Sequence, residues 1–406
     1  MQFVFKLTLC LALCQIATAD NWPRFRGAEG TGHCHEKDVP VKWSANDVKY
    51  RVELKGQGQS SPVIWGDHIF LTSSTNQGQT RHVMCLNRAN GKVVWEQSVS
   101  CGSPQPVHRM NSWATASCAT DGELVFAFFG EGGLHCYTVD GKKKWSKELG
   151  SFPGNWGNAA SPVILGDHVI QNCDASGASY LLAVEKKTGK QVWRTKRADK
   201  PRGGWSTPIL IDTGKRKELI LNGEFGVRSY DPKSGRDYWF CEGFNGRGTP
   251  VPAWGHGMIY VINGKPGDVY AVKPDGSGDV TSSRMAWHTA RRGGRDLPSP
   301  ILVGDFLFTV SMGGVAMCYD AKSGKPMWQP QRLKGSYSAS PIAANGLIYI
   351  QNEAGETSVI KPGKSFQLMT LNSLGDIENE IFRSTLAISD GHIFCRSDTA
   401  LYCIGK

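Results

Sequence analysis

After its first twenty residues the chain has no apolar run near the roughly 20 residues that a membrane-spanning helix requires. It has no dense Lys/Arg run or basic helix either, although Lys and Arg (46) outnumber Asp and Glu (36) for a net charge of +10. That argues against nucleic-acid binding and leaves acidic polymers or lipid head groups as charge-matched partners. No C-x-x-C-H occurs, which removes support for covalent c-type haem. Paired carboxylates at a hydrolase-like spacing are also missing, so a sugar-facing surface here argues for binding before hydrolysis.

The first residues form a targeting segment: Lys6 is a short basic start, Leu7–Ile16 is apolar, and Ala17-Thr18-Ala19 is an A-x-A cleavage site. We expect a signal peptide over 1–19, an N-terminal arm over 20–40, and a single domain over 41–406, exported to the periplasm or outside the cell. Of 12 cysteines, Cys10 and Cys14 fall in the leader, which leaves ten. Export permits disulfides, and Cys118 with Cys136, or Cys395 with Cys403, fall within single repeats; small buried hydrophobes are the plainer reading. His33-Cys34-His35 is a dense cluster of metal-binding residue types, but it lacks the fourth ligand of a closed site, so no metal is expected.

What is present is a repeated phrase. Gly is followed four residues later by Trp at Gly91/Trp95, Gly141/Trp145, Gly189/Trp193, Gly235/Trp239 and Gly324/Trp328. An apolar pair, a polar turn closed by Gly and a second strand reaching Trp make a β-hairpin, with Gly at the positive φ the turn requires and Trp filling space between sheets. About half a repeat away lies a small polar residue, Pro, an apolar run and a G-D or N-G turn, as at Ser61-Pro62, Ser161-Pro162, Ser299-Pro300 and Ser340-Pro341. Thr207-Pro208 and Thr249-Pro250 open two more units, and Ala116 and Leu386 take the Pro position in degenerate copies. Steps of 41 to 54 residues between these openings (62, 116, 162, 208, 250, 300, 341, 386) each hold four short strands. The fold expected is all-β, an eight-bladed β-propeller. Only two strands follow Leu386, so an N-terminal strand must complete the last blade; Val41-Lys42-Trp43 is the segment that the Trp spacing selects.

The A-x-D-x-x-T-G-K-x-x-W-like phrase, clearest at 183–193, resembles the pyrroloquinoline quinone-like repeat of quinoprotein-type eight-bladed propellers, over nearly the whole mature chain. Size and the lack of further domains look most like the BamB-type outer-membrane assembly factors. The opening Asn21-Trp22-Pro23-Arg24-Phe25-Arg26-Gly27 resembles a leader on planctomycete-type secreted members. Phe366 in place of Trp, and a turn of nine residues from Gly278 to Trp287, depart from the pattern.

A propeller site is expected where the stretches before each innermost strand cross one face beside the central channel. Those stretches carry Asn111, Trp113, Asn155, Trp156, Arg202, Trp205, Asn245, Arg247, Arg295, Asp296, Tyr337 and Arg383, with Asp174 and Glu224 on mid-blade hairpins that open to the same face. Such a mixture suits stacking and hydrogen bonding to a polar ligand or an extended peptide. The reading this favours is an exported, non-catalytic scaffold that binds a protein or polymer of the cell envelope, with no cofactor. The resemblance implies an alternative, a dehydrogenase holding pyrroloquinoline quinone and calcium over the channel with an Asp as base. Asp174, Glu224, Asn155, Asn158, Arg295 and Asp296 are its raw materials, but the adjacent Cys-Cys pair of many such enzymes is absent. A carbohydrate-binding propeller is a third possibility, suggested by the face tryptophans.

Overall fold

The computed structural model describes residues 21–197, 201–244, 247–263, 267–291, 295 and 297–405. Eight antiparallel sheets follow one another along the chain, at 63–100, 119–147, 163–196, 209–242, 253–289, 301–332, 342–372 and 387–404. In all but the last, which the N-terminal strand completes, the strands lie side by side in chain order, and first strands of neighbouring sheets touch at sheets eight and one, one and two, two and three, five and six, and six and seven. The architecture is an eight-bladed β-propeller. Strand-to-strand alternation buries one row of side chains against each neighbouring blade. Separate apolar clusters therefore fill the gaps between blades: Val63, Phe70 and Val83 meet Val125, Ala127 and Tyr137 between the first two blades. The largest cluster joins blades seven, eight and one, where the ring closes.

Closure uses the N-terminus, but not the segment the Trp spacing selects. The outer strand of blade eight is Val48–Glu53, paired antiparallel with Ala400–Ile404. Tyr50 stands opposite Cys403, the place Trp95 takes opposite Cys85 in blade one. Trp43 instead stacks on Tyr349 of blade seven, centroids 6.4 Å apart and rings 7° from parallel. Its backbone N–H donates to Asn372 Oδ1 at 3.0 Å.

The repeated Gly and Trp belong together across blades. Gly141, Gly189, Gly235 and Gly324 each lie against the Trp of the preceding blade; a Cβ on Gly141 would sit 2.7 Å from Trp95 Cγ. Three of these indoles also donate to the next blade, from Trp95 to Val139 O, Trp145 to Lys186 O and Trp287 to Ala321 O, at 2.8–2.9 Å. The long turn before Trp287 has its own use. Gly278–Asp279 adds a fifth strand, parallel to Asp237–Glu242 of blade four, and Thr281–Arg284 forms one helical turn.

The small polar residue before Pro ties the inner strands into a ring. Ser61 N–H donates to Ser117 Oγ, Ser117 to Ser161, Ser161 to Thr207, Val251 to Ser299, Ser299 to Ser340, Ser340 to Thr385 and Thr385 back to Ser61, at 2.8–3.0 Å. Strand register corrects two of the units, the degenerate one at Ala116 and the one at Thr249-Pro250: Ala119 pairs with Phe126 and Ala253 with Tyr260, as Val63 does with Phe70. Cys118 and Pro252, not Ala116 and Pro250, hold the Pro position. Val251 is thus where the other seven blades have a hydroxyl, and the ring is broken at the Thr207 amide.

Residues 21–40 are packed across the opposite end of the channel. Trp22 bridges to Ile64 of blade one through both backbone bonds, and Cys34 N–H donates to Ala343 O of blade seven. Arg26, fully buried, reaches Pro300 O of blade six at 2.9 Å. Burial lowers its guanidinium to about 9. No disulfide joins the ten described cysteines, and nine of them are buried. His33 spends its ring nitrogens on Leu302 O and Thr31 Oγ1, and among the described residues no three His, Cys, Asp or Glu side chains gather as a metal site.

Candidate functional site

The inner strands open toward a mouth on the face opposite residues 21–40. In extended backbone, every second residue points the same way, so each ring residue has a companion two positions earlier that also lines the channel. These companions are Gln59, Thr115, Ala159, Trp205, Thr249, Leu297, Ser338 and Arg383. Above them come Met110, Asn111, Trp156, Arg247 and Arg295, and Phe25 lines the same cavity, which holds about 160 Å³.

Trp156 is the centre of the mouth. The Arg247 guanidinium lies 4.5 Å from its ring centroid and the Arg295 guanidinium 5.0 Å. His108 packs on the same ring at 4.3 Å, and Asn111 Nδ2 holds Trp156 O at 2.5 Å. Arg247 also approaches Trp205 at 5.9 Å, while Trp205 Nε1 donates to Gly157 O at 3.0 Å. Cation–π contacts thus hold Arg247 against both tryptophans and Arg295 against Trp156. Burial, and then the positive charges of Arg202 and Arg295, push the Arg247 pKa down. Arg383 is anchored from the side by Glu353, Nε to Oε1 3.1 Å.

Other face candidates lie elsewhere. Trp113 turns away to cover Gly78, with its Nε1 on Gln105 O at 2.7 Å. Tyr337 is fully buried in the cluster between blades six and seven, and its hydroxyl donates to Lys334 O. Asn155 is exposed and does not line the channel. Asp174 is buried and accepts from Arg197 Nε with both oxygens, at 2.8 and 2.9 Å. Burial raises its carboxyl, with Arg197 opposing, and the pair raises the Arg197 guanidinium. Glu224 is taken up by Arg202, through the backbone N–H at 2.6 Å and the guanidinium. Asn245 and Asp296 lie outside the described residues.

A calcium ion needs six or more converging oxygens, and among the described residues the channel lining contains no Asp or Glu. Asp174 and Glu224, the described carboxylates nearest to that role, face arginines instead.

The family described as outer membrane protein assembly factor BamB matches residues 36–153, 79–249 and 265–364, well over half of the chain. The chain belongs to the BamB family. BamB from Burkholderia pseudomallei is 22% identical over 294 residues, covering 72% of this chain and 59% of that protein. A polyvinylalcohol dehydrogenase from Pseudomonas sp. is 20% identical over 357 residues, covering 69% and 53%. The chain therefore spans little more than half the length of these curated relatives. The crystal structure of BamB from Moraxella catarrhalis superposes with a TM-score of 0.64 at 15% identity, covering 88% of this chain and 97% of the other, a likeness of fold.

Within this BamB-family propeller, sequence reasoning placed the stretches that hold Gln59 and Met110 on the face without singling out either residue, and passed over Thr115, Ser338 and Phe25. The signal for Gln59 and Ser338 was available: counting two residues back from each S-P serine marks the inward companion, whereas Thr115 precedes Ser117-Cys118, a unit whose register the sequence reading set two residues early. Met110 sits in an irregular stretch and Phe25 arrives from residues far along the chain, so no local pattern marks either.

Proposed function

We propose that this chain is an exported, non-catalytic binding module of the cell envelope that takes a protein or polymer segment at the channel mouth. The observation that supports it most is the chemistry of the lining. It offers guanidinium, amide and hydroxyl donors beside tryptophan, and among the described residues it has no carboxylate, imidazole or thiol to act as base or nucleophile. Phe25, from residues 21–40, lines the same cavity. Membership of the BamB family supports a scaffold working among envelope proteins.

Two other readings have less behind them. Similarity to a polyvinylalcohol dehydrogenase favours a quinone enzyme, but the cationic lining opposes calcium; added pyrroloquinoline quinone and calcium should leave absorbance and melting temperature unchanged, because a ligand specific to the native state raises stability. A sugar platform needs bare tryptophan faces, yet Trp156 is covered by His108, Arg247 and Arg295, and Gly203 packs on Trp205.

The binding reading is tested by placing a photo-crosslinking residue at Asn155, exposed beside the mouth, or at Val192, exposed on an outer strand. Adducts in the native envelope should form from position 155, vanish with Trp205→Ala, and be absent from position 192. Equal yields from both positions would overturn it.

A further inference from the structure

We propose that the channel mouth is a receptor site for a carboxylate of side-chain size. The inference rests on the binding-module reading and names the group that the module recognises. Arg247 and Arg295 make no ion pair among the described residues. The Nε of each is shielded from solvent with no hydrogen-bond partner. Buried donors ordinarily find partners, and leaving one unmet is costly. Two guanidiniums, each held within 5.0 Å of the Trp156 ring centroid, are planar, always charged and restricted in their rotamers, and a guanidinium grips a carboxylate as a fork.

The surroundings agree. The described lining holds no acidic side chain that would repel an anion, while Gln59, Thr249 and Ser338 add neutral polar groups around it. Burial, and then the positive charge on Arg202 and Arg295, disfavours the charged form of Arg247, an effect that an entering anion opposes. Glu353 occupies Arg383 from the side, so Arg383 sets the rim and the two stacked arginines supply the grip. Size agrees: a cavity of about 160 Å³ suits one Asp or Glu side chain, a chain terminus or a small free dicarboxylate.

Isothermal titration calorimetry on the full chain at low ionic strength separates these sources. The probes are a Glu-rich hexapeptide, its Gln counterpart, and glutarate. The acidic peptide should bind at least about tenfold more tightly than the Gln peptide, and Arg247→Gln and Arg295→Gln should each weaken it about tenfold or more. Arg247→Lys, which keeps the charge and loses the fork, should fall between wild type and Arg247→Gln, and melting curves of all variants establish that they fold. Binding of glutarate with the peptide excluded upholds the site and makes a free diacid its ligand. Equal affinity for the Glu and Gln peptides, undiminished acid binding in the Arg247→Gln/Arg295→Gln double variant, or no binding by either acid would overturn the proposal. Crosslinks at position 155 that persist when every acid fails would sink the carboxylate and spare the binding module; loss of those crosslinks would sink the module itself.

Discussion

Gly91 lies flat against Tyr50, so that a Cβ built on it would come 2.8 Å from Tyr50 Cε2 and 2.7 Å from Val52 Cγ1. The Tyr50 hydroxyl donates to Arg88 O at 2.7 Å, as the tryptophans of other blades donate to their neighbours. This contact closes the ring between blades eight and one. Gly91 also has φ +70°, in the left-handed region that a side chain disfavours. Gly91→Ala should therefore cost about 2–4 kcal/mol from strain and overpacking together. Tyr50→Phe, which loses one hydrogen bond, should cost about 1 kcal/mol. The midpoint of urea denaturation should drop in that order; an unchanged midpoint for Gly91→Ala would refute the packing account.

The hydroxyl ring makes a second prediction. Thr385→Val keeps shape and removes the Oγ1 that accepts from Ser340 N–H at 3.0 Å. A buried amide without a partner should lower stability by about 1–3 kcal/mol. Blade five has this arrangement natively at Val251, so the variant should still fold as a closed ring, with an unchanged circular dichroism spectrum and a lower melting temperature. No loss of stability would mean that the ring is incidental.

Much of the fold was legible because its determinants are local. Gly with Trp four residues on, and Ser or Thr before Pro, state the turn and the strand start within a few positions, and eight copies state the ring. What escaped was held by tertiary contacts. Tyr50 fills the closing position that a search for Trp assigns to Trp43, because the space between blades asks for an aromatic ring with a donor, and tyrosine meets that need. Ala116 and Thr249 sit two residues from their true counterparts, and period-2 registers look alike at that offset. At the site, residue types alone cannot tell a carboxylate facing the channel from one facing an arginine: Asp174 turns to Arg197 and Glu224 to Arg202. Trp156 and Arg247 come together only because blades three and five share a narrow axis.

Glu218 carries the third prediction. It is fully buried; Oε2 accepts from Trp239 Nε1 at 2.7 Å and Ser229 Oγ at 2.8 Å, while Oε1 accepts from Arg216 Nε at 2.7 Å and Asp275 N–H at 3.0 Å. Every group around it is a donor. Glu218→Gln replaces one oxygen with a donating amide and removes the charge facing Arg216, which should cost about 3–5 kcal/mol, typical of breaking a buried pair. The measurement is equilibrium unfolding followed by tryptophan fluorescence. A loss under about 1 kcal/mol would mean that solvent or a rearranged Arg216 meets the carboxylate's partners.

The last prediction concerns acid. His135 is buried in blade two, its Nε2 on Gly132 O at 2.7 Å and its Nδ1 on Ser146 Oγ at 2.8 Å. A neutral ring that donates through Nε2 and accepts through Nδ1 satisfies both. Burial depresses its pKa from 6.5 to about 4, and the Gly132 carbonyl only partly opposes this. The unfolded chain, with an ordinary imidazole, takes up a proton first. Between these two pKa values it therefore binds more protons than the folded chain, and stability falls as pH falls. The contribution is intact above about pH 6.5 and declines toward pH 4, by an amount on the order of 3 kcal/mol. Urea unfolding at about pH 7.5 and about pH 4.5 should show this decline in the wild type and a smaller one in His135→Gln. Equal declines in the two proteins would place the acid sensitivity elsewhere in the chain.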